Sequence, residues 1–238
     1  CAYYGWLEIL KQRRGFVMDH SYVGKPYSDQ DVANALQKFL VRIQIEAKRS
    51  DNICRDTAKL LADQRVPFVP RGAGTGLSGG ALADDVVLVG LNRLTRILSI
   101  DPVERLAVVE PGVVNVALTR GATPYGLHYA PDPSSQAACT IGGNVAENAG
   151  GPHCLKYGVT LNHVLAVTAI LPSGEIVELG NPAGEAEGYD LLGAFIGSEG
   201  CFGIALDVTV RLVRTPQAIH TLLADFSSVN AAAEAVSA

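Results

Sequence analysis

Apolar positions fall into two regimes along this chain. Between residues 66 and 91 they come as short continuous runs, Val66-Pro-Phe-Val69 and Val86-Val-Leu-Val-Gly-Leu91, the pattern of buried strands. Ahead of them Val32, Ala35, Leu36, Phe39 and Leu40 recur at helical spacing within Asp29–Ile45. Leu40-Val-Arg-Ile-Gln-Ile45 equally fits a short alternating strand. Ser50-Asp-Asn offers a cap for a helix running through Leu61. Helices alternating with apolar strands predict a small parallel sheet. After residue 100 the pattern changes. Leu106–Glu110 reads as a strand, Asn115–Gly121 as a helix, and Tyr189–Phe195 as a short helix. Val164–Leu171 and Glu175–Leu179 read as a hairpin around Pro-Ser-Gly174, and Ala205–Val213 as an alternating strand. Strands paired with near neighbours in sequence predict an α+β unit. Gln217–Phe226 reads as one more strand, and Ser228 as the cap of a helix through Ala238.

The segment between the first two strands follows no period. Arg71-Gly72-Ala73-Gly74-Thr75-Gly76-Leu77-Ser78-Gly79-Gly80 combines five glycines with two hydroxyls and one arginine. Glycines let successive backbone N–H groups turn inward and form a concave nest for anionic oxygens. Thr75 and Ser78 can donate further bonds and Arg71 can add charge. This is a cradle for a diphosphate, and Gly76 is expected there at positive φ, where a β-branched residue would be opposed. Gly74-Thr-Gly76-Leu-Ser-Gly79 also matches the Rossmann fingerprint, but only Ala-Leu-Ala-Asp-Asp follows before the next strand. With no helix to hold the pyrophosphate, a Rossmann NAD site is rejected. A flexible linker is disfavoured as well, because the segment sits between two apolar strands.

Two more glycine-rich stretches follow. Tyr129-Ala-Pro-Asp-Pro-Ser-Ser135 leads into Cys139-Thr-Ile-Gly-Gly-Asn-Val-Ala-Glu-Asn-Ala-Gly-Gly151, and Gly197-Ser-Glu-Gly-Cys-Phe-Gly-Ile204 precedes the late strand. Small residues let the backbone lie against a planar ligand, and Asn144 and Asn148 bring amides. Three such loops, each beside strand patterns, suggest one long cofactor threaded between two subdomains.

Composition narrows the class. The chain has 238 residues, 48% hydrophobic and 18% charged, enough for a sizeable core and one or two domains. A net charge of -5, spread along the chain, argues against nucleic acid as partner. No apolar run is long enough for a transmembrane segment, and Cys-Ala-Tyr-Tyr-Gly-Trp-Leu-Glu is not a signal peptide. Cys1, Cys54, Cys139, Cys154 and Cys201 are odd in number and widely spaced. They are expected as reduced thiols in a cytoplasmic protein, with no metal site; His153-Cys154 lacks the partners of a tetrahedral set.

The three loops resemble the FAD-binding (PCMH-type) domain of the vanillyl-alcohol oxidase / p-cresol methylhydroxylase flavoproteins. Within that family they are most similar to the 2-hydroxy-acid branch, the glycolate oxidase D subunits and D-lactate dehydrogenases. The resemblance runs from about Asn52 to Arg214, and Pro152-His-Cys-Leu-Lys-Tyr-Gly158 is particularly close to the glycolate oxidase subunit. It implies two α/β subdomains at about 51–100 and 101–215, one with a small parallel sheet and one with a larger, mainly antiparallel sheet. Residues 1–50 match poorly, and 216–238 are expected to open a substrate-binding cap domain.

The resemblance also implies roles. Residues 71–80 would hold the pyrophosphate of a noncovalent FAD. Pro131, Asp132 and Ser135 would lie near its ribityl and ring portions. Thr140, Ile141, Gly142, Gly143 and Asn144, with Ala146, Asn148 and Gly151, would wrap pyrophosphate and flavin. Glu199, Gly203 and Ile204 would lie near the adenosine half or the ring edge. The implied activity is oxidation of a 2-hydroxy acid of the glycolate or D-lactate type by hydride transfer to FAD. The catalytic base is expected in the cap domain, so residues 1–238 are expected to be inactive alone. Other subunits of an oxidase complex are implied partners. Two alternatives stay open: a non-catalytic flavin-binding or electron-transfer subunit, and a UDP-sugar reductase of the same fold, which the 152–158 segment disfavours.

Overall fold

The computed structural model describes residues 67–83, 86–183 and 188–237, with Gln30 and Thr57, both helical, from the segment before them. The elements expected over Asp29–Ile45 and from Ser50 through Leu61 otherwise lie outside the described residues, as does Val66.

The apolar runs around the glycine loop become β1 (Phe68–Arg71) and β2 (Val87–Gly90), paired in parallel with Phe68 opposite Val87 and Arg71 opposite Gly90. Then come β3 (Ile97–Asp101), β4 (Leu106–Val109), β5 (Leu127–His128), β6 (Val164–Ile170), β7 (Ile176–Gly180), β8 (Ile204–Arg211) and β9 (Val213–Arg214). Five of these form an antiparallel sheet in the order β3-β4-β8-β6-β7, and β5 pairs with β9. A small parallel sheet beside a larger antiparallel one is the expected α+β architecture. The two sheets part within residues 91–96, just ahead of β3.

The helices are α1 (Asn115–Ala122), α2 (Ile141–Glu147), α3 (Cys154–Tyr157), α4 (Leu191–Phe195) and α5 (Val229–Ser237). The hairpin of β6 and β7 closes as read from sequence: Leu171 N–H donates to Glu175 O at 2.9 Å, and Gly174 takes φ +81°. The main core lies between the five-stranded sheet and the first two helices. Val109, Leu118, Ile141, Val167, Val208 and Val210 there are at most 1% exposed. Burying each such side chain contributes about 1.5–3 kcal/mol, which pins α1 and α2 to the sheet and so fixes the loops at their ends.

Two expectations are corrected. Residues 217–226 form no strand, and Ile219, Leu222 and Leu223 are 78–96% exposed. An apolar run becomes a strand only against a sheet edge, and this one meets none among the described residues. The helix after it is present, with Ala231 N–H donating to Ser228 Oγ at 3.2 Å. Residues 141–147, read as flat loop, are helical. Their glycines lower helix propensity, but Thr140 caps the helix by accepting from Gly143 N–H at 3.2 Å, and Ile141 and Val145 are buried.

Candidate cofactor-binding site

A cavity of about 330 Å³ opens where the loop after β1 faces α2 and the turn ahead of β8. Three sets of hydrogen bonds fix its walls. Ile141 N–H donates to Val113 O at 2.8 Å and Gly142 N–H to Pro111 O at 2.7 Å, holding the start of α2 against the segment after β4. At the other end of α2, Gly197 N–H reaches Val145 O at 2.8 Å and Glu199 N–H reaches Ala146 O at 2.9 Å. Below, Asn115, buried at the start of α1, donates from Nδ2 to Pro131 O at 2.9 Å and ties down the Pro131–Pro133 segment.

Residues 71–77 and Gly80 line this cavity from one side; Ser135, Thr140, Gly142, Gly143, Asn144 and Ala146 line it from the second, and Glu199, Gly203 and Ile204 from the third. The fold thus gathers most residues of the three glycine-rich stretches around one space. Seven of those singled out do not line it. Ile141 is fully buried in the core, and Pro131 is buried beneath the segment it begins. Asn148, at φ +48°, ends α2 and accepts from Leu161 N–H through Oδ1 at 2.9 Å. Asp132 pairs with Nδ1 of His153, and Gly151 is packed so tightly on the Asp132 backbone that no Cβ would fit. Ser78 donates to Glu147 Oε2 at 3.0 Å. Gly79 is at φ +92°.

The glycine loop corrects one expectation. Positive φ belongs to Gly74, at +69°, and Gly79, and not to Gly76. Gly76 is constrained from outside: a Cβ there would stand 2.7 Å from Glu147 Oε1. Spacing alone could not show this, because the restriction comes from a side chain distant in sequence. Glu147 itself was overlooked, since a carboxylate beside a diphosphate cradle runs against simple charge reasoning. Pro111, Pro133, Cys139, Phe195 and Ser198 also line the cavity. Only their proximity to the glycine stretches could have marked them.

The buried wall behind the site is kept neutral, while Glu147 and Glu199 bring carboxyl groups to its lining. Burial pushes the Cys139 thiol and the Tyr129 hydroxyl up, so both keep their protons at neutral pH. Behind them, burial holds His163 below the ordinary imidazole range; its Nε2–H donates to Tyr157 O at 2.8 Å. His128 is lowered too, first by burial and then by His163. The one buried acid among the described residues, Glu110, accepts from Arg96 through its backbone N–H and guanidinium at 2.7–2.9 Å. Burial works against its charge, but the Arg96 bonds outweigh this and hold the carboxyl below its usual range.

These residues fit FAD. The backbone N–H groups of residues 72–78 donate to no protein acceptor among the described residues, which leaves a curved row of donors free for phosphate oxygens. Asn144, 1% exposed and lining the cavity, carries an amide Nδ2 that completes no hydrogen bond of good geometry, its nearest protein acceptor being the buried Tyr129 hydroxyl. An unpaired buried donor costs about 1–3 kcal/mol unless a ligand accepts from it. The lining is otherwise largely Gly, Ala and Pro, which suits a long flat molecule.

Comparison with known proteins agrees. The family model for the FAD binding domain matches residues 47–180. Glycolate oxidase subunit GlcD of Escherichia coli K12 is 53% identical over 173 residues, covering 72% of this chain and 35% of that protein. The GlcD of Bacillus subtilis is 42% identical over 81% of this chain and 41% of its own length. D-lactate dehydrogenase of Anaerostipes hadrus is 36% identical, with shares of 79% and 39%. The chain therefore spans 35–41% of the length of these relatives. A solved structure of alkyldihydroxyacetonephosphate synthase superposes with a TM-score of 0.61 at 24% identity, covering 69% of this chain and 31% of that one, and shares the fold.

Proposed function

We propose, for a chain that belongs to the FAD binding domain family, that it is the FAD-binding part of an enzyme oxidising a 2-hydroxy acid, of the glycolate or D-lactate type, to the 2-oxo acid. The observation that carries this is the run of backbone N–H groups at residues 72–77, which donate to no protein acceptor among the described residues, on the lining of one cavity with the Asn144 amide. Relatives named as a glycolate oxidase subunit and a D-lactate dehydrogenase supply the substrate class. Their names favour an enzyme over a non-catalytic subunit.

When bound, FAD supplies the hydride acceptor for the carbinol carbon. This chain's residues bind and orient it. The 72–77 amides and Arg71 hold the diphosphate, Asn144 donates to a polar edge of the ligand, and Pro133, Cys139 and Phe195 exclude water from the inner wall. The buried neutral Cys139 and Tyr129 hold their protons and place no charge beside the ligand. The base that accepts the substrate hydroxyl proton is assigned to the part of such proteins that this chain does not span. Partners by the same reading are further subunits of an oxidase complex, after the GlcD name. No helix among the described residues is long and apolar enough to cross a membrane. Cys139, Cys154 and Cys201 are free thiols, which supports a cytoplasmic setting.

Mass spectrometry of the ligand released by heating the purified chain tests the cofactor: FAD is expected, with none left on acid-precipitated protein, and FMN alone would overturn it. Anaerobic mixing of the loaded chain with glycolate or D-lactate should leave the oxidised flavin band in place. Rapid saturable bleaching would put the catalytic base inside residues 1–238.

A further inference from the structure

The cradle at residues 71–80 contains a hydroxyl that is not part of the cavity lining. Ser78 Oγ lies 3.0 Å from Glu147 Oε2. A carboxylate only accepts, so the single hydroxyl proton of Ser78 is spent on Glu147 and is not available to a phosphate. Placement says the same: residues 71–77 and 80 line the cavity, Glu147 lines it, and Ser78 does not. Two residues earlier the loop backbone presses on the same carboxyl group. A Cβ on Gly76 would stand 2.7 Å from Oε1 and 3.2 Å from Cδ of Glu147.

A negative side chain beside an anionic diphosphate raises the energy of the complex. Charge alone gives Glu147 no favourable part in the site. Its carboxyl group does have a structural one, because it touches the loop at two points and projects from α2, which the core holds in place.

We propose that Ser78 and Glu147 form a positioning pair: the carboxyl group of Glu147 clasps the loop through Ser78 and Gly76 and sets the curvature that aims the 72–77 amides into the cavity. Ser78 is then an anchor and not a ligand of the diphosphate, and position 76 is glycine to admit Glu147. The inference rests on the FAD reading of the site.

The test uses the full chain as Ser78→Ala, Glu147→Ala, the double variant, Glu147→Gln, and Gly76→Ala with and without Glu147→Ala. FAD affinity is measured by titration of the ligand-free protein. The rate of tryptic cleavage at Arg71–Gly72 is measured on the same protein without FAD. Each alanine variant of the pair should weaken FAD by roughly three- to tenfold, the range for one hydrogen bond of ordinary strength, since water screens the charge at this exposed site. The double variant should be no worse than the weaker single one, as for two residues acting through one contact. Cleavage should accelerate equally in all three. Glu147→Gln keeps an amide oxygen for Ser78 and should stay within about twofold of the native affinity. Gly76→Ala should weaken binding in the native background and add little in Glu147→Ala.

Additive losses in the double variant would mean that Ser78 meets the ligand directly, and would overturn the proposal. So would a Glu147→Ala chain that binds FAD as tightly as the native one with unchanged cleavage. A native chain that takes up no FAD would sink the cofactor reading, while the cleavage rates would still decide whether the clasp exists.

Discussion

Among the described residues the five-stranded sheet encloses a core of its own, whereas the buried cluster at the parallel pair draws half of its members from that sheet. Beneath β1 and β2 the buried residues among those described are Val89 and Leu91 with Ile170 and Ile204, and the last two come from β6 and β8 of the larger sheet. Against this stand the fully buried Val109, Leu118, Ile141, Val167, Val208 and Val210 of the main core. The glycine loop hangs from the parallel pair and is placed by contacts reaching across: Ser78 to Glu147, Glu199 against Gly80, and Pro70 against Gly200. Site geometry therefore depends on a junction between the two sheets. A ligand that touches both sides stabilises the junction by its own binding free energy.

The sharpest way to separate the two is to damage one at a time. Leu118→Ala, at a position with no exposure, should lower the unfolding free energy by about 2–5 kcal/mol. Denaturant titration measures it, and at low temperature FAD should still bind with near-native affinity. Gly74→Val should do the reverse. A β-branched residue at φ +69° is strained, and Arg71 Cδ already lies 3.3 Å from the Cβ position. FAD affinity should fall by more than tenfold with little change in the melting temperature of the ligand-free chain. Arg71→Ala should cost less than Gly74→Val, because Arg71 is exposed and its charge is screened by water. Equilibrium titration of both variants ranks them, and a larger loss for Arg71→Ala would show that charge outweighs loop shape.

The smallest expected effect concerns pH and comes from groups outside the glycine loop. His128 and His163 are lowered in the fold, chiefly by burial. The unfolded chain thus binds more protons than the folded one as pH falls below about 6.5. Their contribution is present above that pH and is lost as it falls. Glu110 is lowered as well, its Arg96 hydrogen bonds outweighing burial, so its contribution is lost further down, below about pH 4.3. Melting temperatures from pH 8 to pH 3 should fall in two steps. The upper step should shrink in His163→Gln and the lower one in Glu110→Gln. A single step near pH 4 would remove the buried imidazoles from the account.

Short-range signals made the parallel pair and its loop readable from sequence. Prolines and glycines bound two apolar runs, and the glycine loop is dense enough in one chemistry to suggest its ligand. The hairpin of β6 and β7 was legible for the same reason, its turn being written in Pro-Ser-Gly174. Legibility ended where distant residues decide. Helix α2 carries two glycines that speak against it and forms because Thr140 caps it and Ile141 and Val145 are buried. The restriction at Gly76 comes from Glu147, seventy-one positions away by subtraction of the two numbers. Residues 217–226 have the composition of a strand and meet no edge among the described residues. Asn148 and Gly151 sit in the right stretch, but the structure uses them to end a helix and to pack against Asp132.

Strand β8 has a consequence for how the chain is made. It lies between β4 and β6, and these two pair with it and not with each other. Of the five strands it is also the last to leave the ribosome. Until Arg211 has emerged, the hairpins β3–β4 and β6–β7 each present an unpaired inner edge, a template for wrong pairing with another chain. Ile204, which begins this strand, lines the cavity and joins the small core beneath the parallel pair. Closure of the sheet, completion of the pocket and burial of that second core are thus one event in the life of a nascent chain. A flavin arriving earlier would find only the glycine loop and α2 waiting for their third wall.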